Sequence, residues 1–352
     1  LLLTFKVKTM KYLYVHMTHY ISKLKTEYDI PYIPSSQVSP RNLYERYMKK
    51  DIKSFAMSVA AGEGHMDLVK VMVDKGATDV NRSLRAAAYS GYMDIVKFLL
   101  NIGATDIDEA ISTAVMNKQI DIVKFLLEKG ADVNKALTSA FESEQRDMIE
   151  YLISRGAANF RRGACRAASK GNMDLVRLCI DQGVDTSYLI VCAEKGHMDI
   201  VQLMLDNGYL NFNRLLSYAS FGGQREIIQS MLDLGATNYN RAMCQAARKG
   251  HIDIIKWMLD LGATNYNQTM STAAFYGYKH IVQLMLDLGA TNYNMALGKS
   301  ATHGYKDVVQ LMIDTGATDY IGAMEKAVAS KALRPGKEGR IQDVIELLDR
   351  YV

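Results

Sequence analysis

The sequence predicts an all-α chain, a solenoid of stacked helix-turn-helix units, and three observations support this fold class. Ten glycines recur through the middle of the chain at intervals of 25–27 residues, and a fixed period of roughly 20–50 residues is typical of repeat architectures. Only four prolines occur, and none lies between residues 41 and 334, so no proline interrupts a helix there. Between the glycines, apolar residues recur at helical spacing. The recurring glycines are Gly76, Gly103, Gly130, Gly156, Gly183, Gly208, Gly235, Gly262, Gly289 and Gly316.

The chain divides into three parts: a basic leader at residues 1–53, ten repeats at residues 54–320, and a C-terminal capping repeat at residues 321–352. The leader holds ten Lys and Arg against four Asp and Glu. Ser39 and Pro40 predict the start of a capping helix over residues 41–50, and a further helix is predicted over residues 9–28. In the capping repeat, residues 332–340 form an insertion that contains Pro335.

The first helix of each repeat is expected to begin at a polar capping residue. A side-chain oxygen at this position accepts a hydrogen bond from the first turn, which contributes about 1 kcal/mol. Small residues such as Ala246 and Ala247 follow and allow two helices to approach closely. The helix ends at a mid-repeat glycine such as Gly250, which Lys118 and Glu144 replace in two repeats. The expected caps are Ser54, Asn81, Asp108, Asn134, Thr186, Asn213, Asn240, Asn267 and Asn294.

The second helix of most repeats opens with an acidic residue such as Asp253, which the helix dipole favours in a first turn. Apolar pairs such as Ile254 and Ile255 follow. The helix ends at the recurring glycine, which adopts the left-handed conformation at little cost. Helices of about ten residues are marginally stable alone, so each apolar face must be covered by a neighbouring repeat.

These features resemble the ankyrin repeat over most of the chain, from about residue 54 to residue 352. The resemblance rests on the Gly-His pairs at 64–65, 196–197 and 250–251, on the Ala-Ala pairs, and on endings such as Gly-Ala-Asp-Val-Asn at 130–134. A standard ankyrin repeat has about 33 residues, whereas this repeat has 27. The missing residues fall where that family carries its β-hairpin finger, so we expect shortened or absent fingers. Long arrays of such short repeats are also similar in style to ankyrin-repeat proteins of giant viruses of amoebae.

Composition excludes several other classes of protein. Apolar residues make up 49% and charged residues 23%, with a net charge of +4, which is typical of folded domains rather than disordered chains. No apolar run approaches the roughly 18 residues of a membrane span. The four cysteines fit no metal-ligand spacing, and free thiols indicate a reducing compartment such as the cytoplasm, with the nucleus left open.

The sequence offers no catalytic, metal or cofactor site. No phosphate-binding loop, dinucleotide fingerprint, nucleophile elbow or kinase motif occurs. His16 and His19 would share one helix face, but no third ligand follows them. A recurring aspartate could form an acidic ladder along the stack, and a solvated surface is the favoured interpretation of it. The ladder comprises Asp206, Asp233, Asp260, Asp287 and Asp314.

The candidate interface lies at the two positions before the mid-repeat glycine, which vary most among the repeats. In the ankyrin family this end of the first helix borders the concave binding groove. Aromatic and arginine side chains are the usual anchors of protein interfaces. Solvated variation combined with packing between repeats is an equally favoured interpretation. The candidate residues are Tyr89, Glu194, Lys195, Phe221, Arg248, Lys249, Phe275, Tyr276 and His303.

The resemblance implies a non-enzymatic, monomeric scaffold that binds a protein partner and needs no cofactor. A viral origin would make that partner a host protein and the compartment the host cytoplasm. Two alternatives remain at this stage. The stack could serve structural or virion assembly, or the basic leader could attach the chain to nucleic acid or an anionic membrane surface, although the modest overall charge disfavours nucleic acid.

Overall fold

The computed structural model describes residues 50–334 and 336–352. These residues form 22 α-helices and one 3-10 helix, and no β-strand occurs among them. The prediction of an all-α fold built from repeated helix pairs is therefore confirmed. The helices expected over residues 9–28 and 41–49, and the proline of the C-terminal insertion, lie outside the described residues.

The chain forms two compact units, the first ending at Asp106 and the second beginning at Ile107. In the first unit, α1 (Lys50–Gly62) packs against α2 (Met66–Asp74) and α3 (Val80–Ser90), and α3 packs against α4 (Met93–Asn101). Residues 50–53, assigned to the leader from sequence, belong to the first of these helices.

The second unit continues the same alternation of first and second helices, so that odd numbers mark first helices and even numbers second helices. A 3-10 helix, Thr186–Leu189, precedes the short α11. The α-helices are α5 (Ile107–Met116), α6 (Ile120–Glu128), α7 (Val133–Glu142), α8 (Arg146–Ser154), α9 (Arg161–Lys170), α10 (Met173–Asp181), α11 (Val191–Lys195), α12 (Met198–Asp206), α13 (Phe212–Gly222), α14 (Arg225–Asp233), α15 (Tyr239–Ala247), α16 (Ile252–Asp260), α17 (Tyr266–Tyr276), α18 (Lys279–Asp287), α19 (Tyr293–His303), α20 (Lys306–Asp314), α21 (Tyr320–Leu333) and α22 (Glu338–Leu348).

The odd-numbered helices pack against one another along the second unit, for example α13 against α15 and α17 against α19. Their small residues make this close approach possible: Ala246 and Ala247 in α15 are fully buried. In the even-numbered helices the apolar pairs form the core, and Ile254 and Ile255 of α16 are buried. The core therefore lies between layers of helices from successive repeats, as a nearest-neighbour stack requires.

The first helices do not begin at the capping residues expected from sequence. In α15 the N-cap is Asn238, whose side chain accepts a hydrogen bond from the Arg241 amide, and not Asn240. Likewise Asn211 caps α13 and Asp79 caps α3. The predicted caps were placed two residues too late because the turn offers two polar side chains, either of which suits an N-cap chemically.

All of the residues expected as caps except Thr186 instead join one repeat to the next. The Asn240 Oδ1 accepts hydrogen bonds from the backbone amides of Thr264 and Asn265, at 2.7 and 2.9 Å. These two amides lie in the turn where a standard repeat would extend its finger, so a side chain from the preceding repeat satisfies them. Equivalent paired bonds are accepted by Ser54, Asn81, Asn134, Asn213, Asn267 and Asn294.

The second unit ends with a longer helix pair. Helix α21 spans 14 residues, and α22 packs against α19, α20 and α21. Its apolar face buries Ile341, Val344 and Leu348 against these helices. Among the described residues, no helix combines the length and apolarity needed to cross a bilayer.

Candidate protein-binding surface

The expected interface residues lie at or just after the C-terminal ends of odd-numbered helices, but in different surroundings. Tyr89 ends α3 of the first unit and is 50% exposed. The other eight belong to the second unit, where Glu194 and Lys195 stand at the end of α11 and the rest near α13, α15, α17 and α19.

Two cations and two aromatic rings meet where α13, α15 and α17 end. The Arg248 guanidinium lies 5.0 Å from the centre of the Phe221 ring, and the Lys249 ammonium lies 4.9 Å from the same centre. Arg248 also donates a hydrogen bond from Nε to the Tyr276 hydroxyl, at 3.3 Å. Both cations are exposed while both rings are half-buried. Cation–π pairs of this kind hold a charged head in a defined place.

Phe275 continues the same surface onto α19. Its ring centre lies 4.9 Å from that of Tyr276 in an edge-to-face arrangement, and the Lys299 ammonium lies 5.4 Å from it. Lys299 is exposed and Phe275 is half-buried. The contacts form one continuous surface, called here the cation–aromatic cluster, which consists of Phe221, Arg248, Lys249, Phe275, Tyr276 and Lys299.

His303 departs from the expectation that its side chain is exposed. Only 6% of the residue is exposed, its ring centre lies 4.0 Å from that of Phe275, and its Nδ1 lies 3.1 Å from the Lys299 carbonyl oxygen. Helix α21 packs against α19, the helix that contains His303. The Ser330 hydroxyl of α21 donates a hydrogen bond to the Thr302 carbonyl oxygen of α19, at 2.8 Å. The longer terminal helix pair therefore places His303 beneath the cluster. Burial lowers the pKa of His303.

Glu194 and Lys195 pair with each other rather than extending the cluster. The Lys195 ammonium lies 3.0 Å from the Glu194 carboxylate. The repeats before them show the same neutralisation, since Lys170 pairs with Glu144 and Lys135 with Glu109. The Lys170 ammonium lowers the pKa of Glu144, with a further contribution from the Asn172 amide.

Sequence reasoning missed Lys299, which lies one helical turn before the varied positions. Residues three and four apart share a helix face, so extending the search by one turn would have found it. A second basic surface was also missed. Arg161, Arg162 and Arg166 of α9 line a groove of about 350 Å³ with residues of α7, and Arg161 lies 4.4 Å from the Tyr188 ring centre.

The comparison with known proteins agrees with the repeat geometry. A family model described as ankyrin repeats, in three copies, matches residues 84–162, 164–269 and 215–296, which together span more than half of the chain. The chain belongs to the ankyrin-repeat family. Ankyrin repeats generally mediate protein–protein interactions. No curated protein matches the chain.

Four of the five recurring aspartates of the ankyrin repeats have a local partner. Gln202 donates a hydrogen bond to Asp206 at 2.8 Å, one helical turn along α12. The same Gln–Asp pair recurs in α14, α18 and α20. Pairs at this spacing support a helix modestly, which gives the ladder a structural role. Among the described residues, no group of three His, Cys, Asp or Glu side chains is placed to hold a metal ion.

The cysteines of the ankyrin stack are poorly placed for nucleophilic chemistry. Cys179 and Cys192 are fully buried, and burial raises the pKa of each thiol to about 12. Cys165 and Cys244 are half-buried, and burial raises their pKa as well. Because the thiolate is the reactive form, these thiols are expected to be inert near neutral pH.

Trp257 lines a surface groove on the even-numbered helices, together with Arg225 and Asp253. Its ring is half-buried and lies 5.4 Å from the Arg225 guanidinium, which pairs with Asp253 at 2.9 Å. A larger groove, about 740 Å³, lies between α12 and α14 and includes the 76%-exposed Leu210. Both grooves lie on the even-numbered helices, away from the cation–aromatic cluster.

Proposed function

We propose that the second unit is a non-enzymatic protein-binding scaffold whose partner docks on the cation–aromatic cluster. The observation that carries the proposal is the continuous contact from Phe221 through Arg248 and Tyr276 to Phe275. Four successive odd-numbered helices contribute to this surface, so a partner lying along it would contact several repeats at once.

The composition of the cluster supports a protein partner. Tyrosine, phenylalanine and arginine are enriched in interface cores, and tyrosine and arginine are frequent hot spots. The rings are half-buried and contact one another, so little side-chain entropy remains to be lost when a partner covers them. This arrangement favours the binding interpretation of the varied positions over simple solvation.

The absence of catalytic function is also part of the proposal. Ankyrin-repeat proteins are typically non-enzymatic scaffolds, and the buried thiols with raised pKa values make poor nucleophiles. We propose in addition that the chain acts as a monomer. The resemblance of the short repeats to those of giant viruses leads to the proposal of a host protein as partner and the host cytoplasm as its compartment, which rests on repeat style alone.

Affinity capture with matched variants tests the proposed function. A Phe221→Ala, Phe275→Ala double variant should lose the partner that the unaltered protein captures, because both rings anchor the surface. A Gln229→Ala, Gln283→Ala control, altered on the even-numbered helices, should retain it. Circular dichroism confirms that each variant is folded. Capture of the same proteins by all three forms would contradict the proposal.

A further inference from the structure

From α13 to α20, the acidic residues within the helices are confined to one of the two sets. Helices α13, α15, α17 and α19 contain no Asp or Glu, whereas the interleaved α14, α16, α18 and α20 all contain acidic residues. Arg248, Lys249 and Lys299 are the exposed cations of the cluster. The surface proposed for binding therefore carries positive charge without an acidic residue on its own helices.

These three cations also differ from the lysines nearer the start of the second unit. Lys135, Lys170 and Lys195 each pair with a carboxylate. Within the described residues, Arg248, Lys249 and Lys299 make no ion pair and rest on aromatic rings instead. Their charge is held in place but not neutralised, so a carboxylate from a partner could pair with each of them.

The aromatic rings argue against a nucleic acid as the partner. Single-stranded nucleic acids bind proteins by stacking bases on open aromatic faces. The Phe221 ring already has Arg248 and Lys249 beside it, and the Phe275 ring contacts Lys299, Tyr276 and His303. The acidic residues of the even-numbered helices would also repel a long polyanion.

Helix spacing sets the pattern that a partner would need. Packed helices lie about 8–10 Å apart, so the backbones at Arg248 after α15 and at Lys299 on α19 are separated by two spacings. Both side chains reach toward α17, and the contacts from Arg248 Nε through Tyr276 and Phe275 to the Lys299 ammonium limit the distance between the two charged groups to no more than about 16 Å. An extended chain advances about 3.3 Å per residue, and that distance corresponds to about five residues. Phe275 of α17 lies between the two charged positions along the stack.

We propose that the partner presents an extended acidic segment, with two carboxylates about five residues apart and an apolar side chain between them. The carboxylates pair with Arg248 or Lys249 at one end and with Lys299 at the other, and the apolar side chain packs on Phe275. This inference rests on the proposed function and adds the chemistry of the partner to it.

Selection from a displayed library of random peptides of about twelve residues, which is long enough to span the cluster, tests the inference on the full chain. We expect enrichment of acidic pairs at the stated spacing. An R248E, K249E, K299E variant should bind the selected peptides at least about tenfold more weakly, because like charges now face each other. A K256E, K279E, K306E control makes the same change in net charge on exposed lysines of α16, α18 and α20 and should bind them normally.

Two kinds of result would overturn the inference. The first leaves the proposed function intact, and the second contradicts the proposed function as well. Selected peptides without acidic pairs, whose binding is lost in F221A, F275A but survives charge reversal, would contradict the acidic partner while retaining the protein-binding scaffold. No enriched peptide, together with tight binding of a fluorescent oligouridylate in a parallel anisotropy titration, would contradict both.

Discussion

A side chain in the left-handed backbone region carries a conformational cost, and the mid-repeat turn requires that region in every ankyrin repeat. Lys118 and Glu144 occupy it with φ values of 57° and 54°, where most other repeats have glycine. Glu144 gains partners there in Lys170 and Asn172, whereas Lys118 is exposed at the end of α5. The strain at Lys118 is therefore the less compensated of the two.

Replacing Lys118 with glycine should stabilise the protein by about 1 kcal/mol, because the left-handed conformation costs other residues roughly that much. Urea unfolding followed by circular dichroism measures the change. Lys124→Gly, at an exposed position inside α6, is the matched control and should destabilise by about 1 kcal/mol. A Lys118→Gly protein less stable than the unaltered one would contradict the assignment of strain.

His303 should make the stability of the second unit depend on pH below the ordinary histidine pKa of 6.5. Burial disfavours the charged imidazole, and Lys299, Arg334 and Lys337 add repulsion. The folded-state pKa is thus lowered, so the unfolded chain binds a proton first and stability falls as pH drops below about 6.5. Above that pH both states are neutral and the effect vanishes.

Urea midpoints measured between about pH 7.5 and pH 5.5, on either side of the ordinary histidine pKa, check this expectation. The unaltered protein should lose stability more steeply than His303→Gln over this window, because the histidine side chain at position 303 titrates there and the glutamine side chain does not. Parallel pH profiles for the two proteins would show that His303 is accessible to solvent in the folded state.

At the scale of the element, the shortened repeat replaces its finger with a side-chain bridge. An Asn240→Ala change leaves the exposed amides of Thr264 and Asn265 to water instead of their side-chain acceptor, and we expect a loss of about 0.5–1.5 kcal/mol. Asn240→Asp keeps the acceptor oxygen and should retain most of the stability, as Asp108 accepts the equivalent bond from the Asp132 amide. Thermal melts of both variants measure the difference, and equal losses would contradict the bridge.

Some features of the repeat helices could be predicted from the sequence, and others could not. The 27-residue period was sufficient to predict helix pairs, their buried Ala pairs and the missing finger, because these features depend on residues within one repeat. The role of Asn240 was misjudged because its partners lie 24 and 25 residues away. His303 could not be placed either, since its ring packs on Phe275 of α17 and α21 packs against its helix, and both neighbours are distant in sequence.

At the scale of the whole molecule, repetition creates continuous surfaces of opposite character within the second unit. The odd-numbered helices from α13 to α19 carry cations on aromatic rings, and the even-numbered helices carry the Gln–Asp pairs. Repeat proteins gain stability from contacts between neighbours, so exposed residues are free to differ without loss of the fold. The cation–aromatic cluster is where these differences produce a defined surface.

Site-specific photo-crosslinking in the native cell tests the docking surface most directly. A photoreactive phenylalanine analogue in place of Tyr276, within the cluster, should form a covalent adduct with a protein partner. The same analogue in place of Gln283, an exposed residue of α18, should not. An adduct that appears at Tyr276 alone is the predicted result, whereas no adduct at Tyr276, or equal adducts at both positions, would contradict the assignment of this surface.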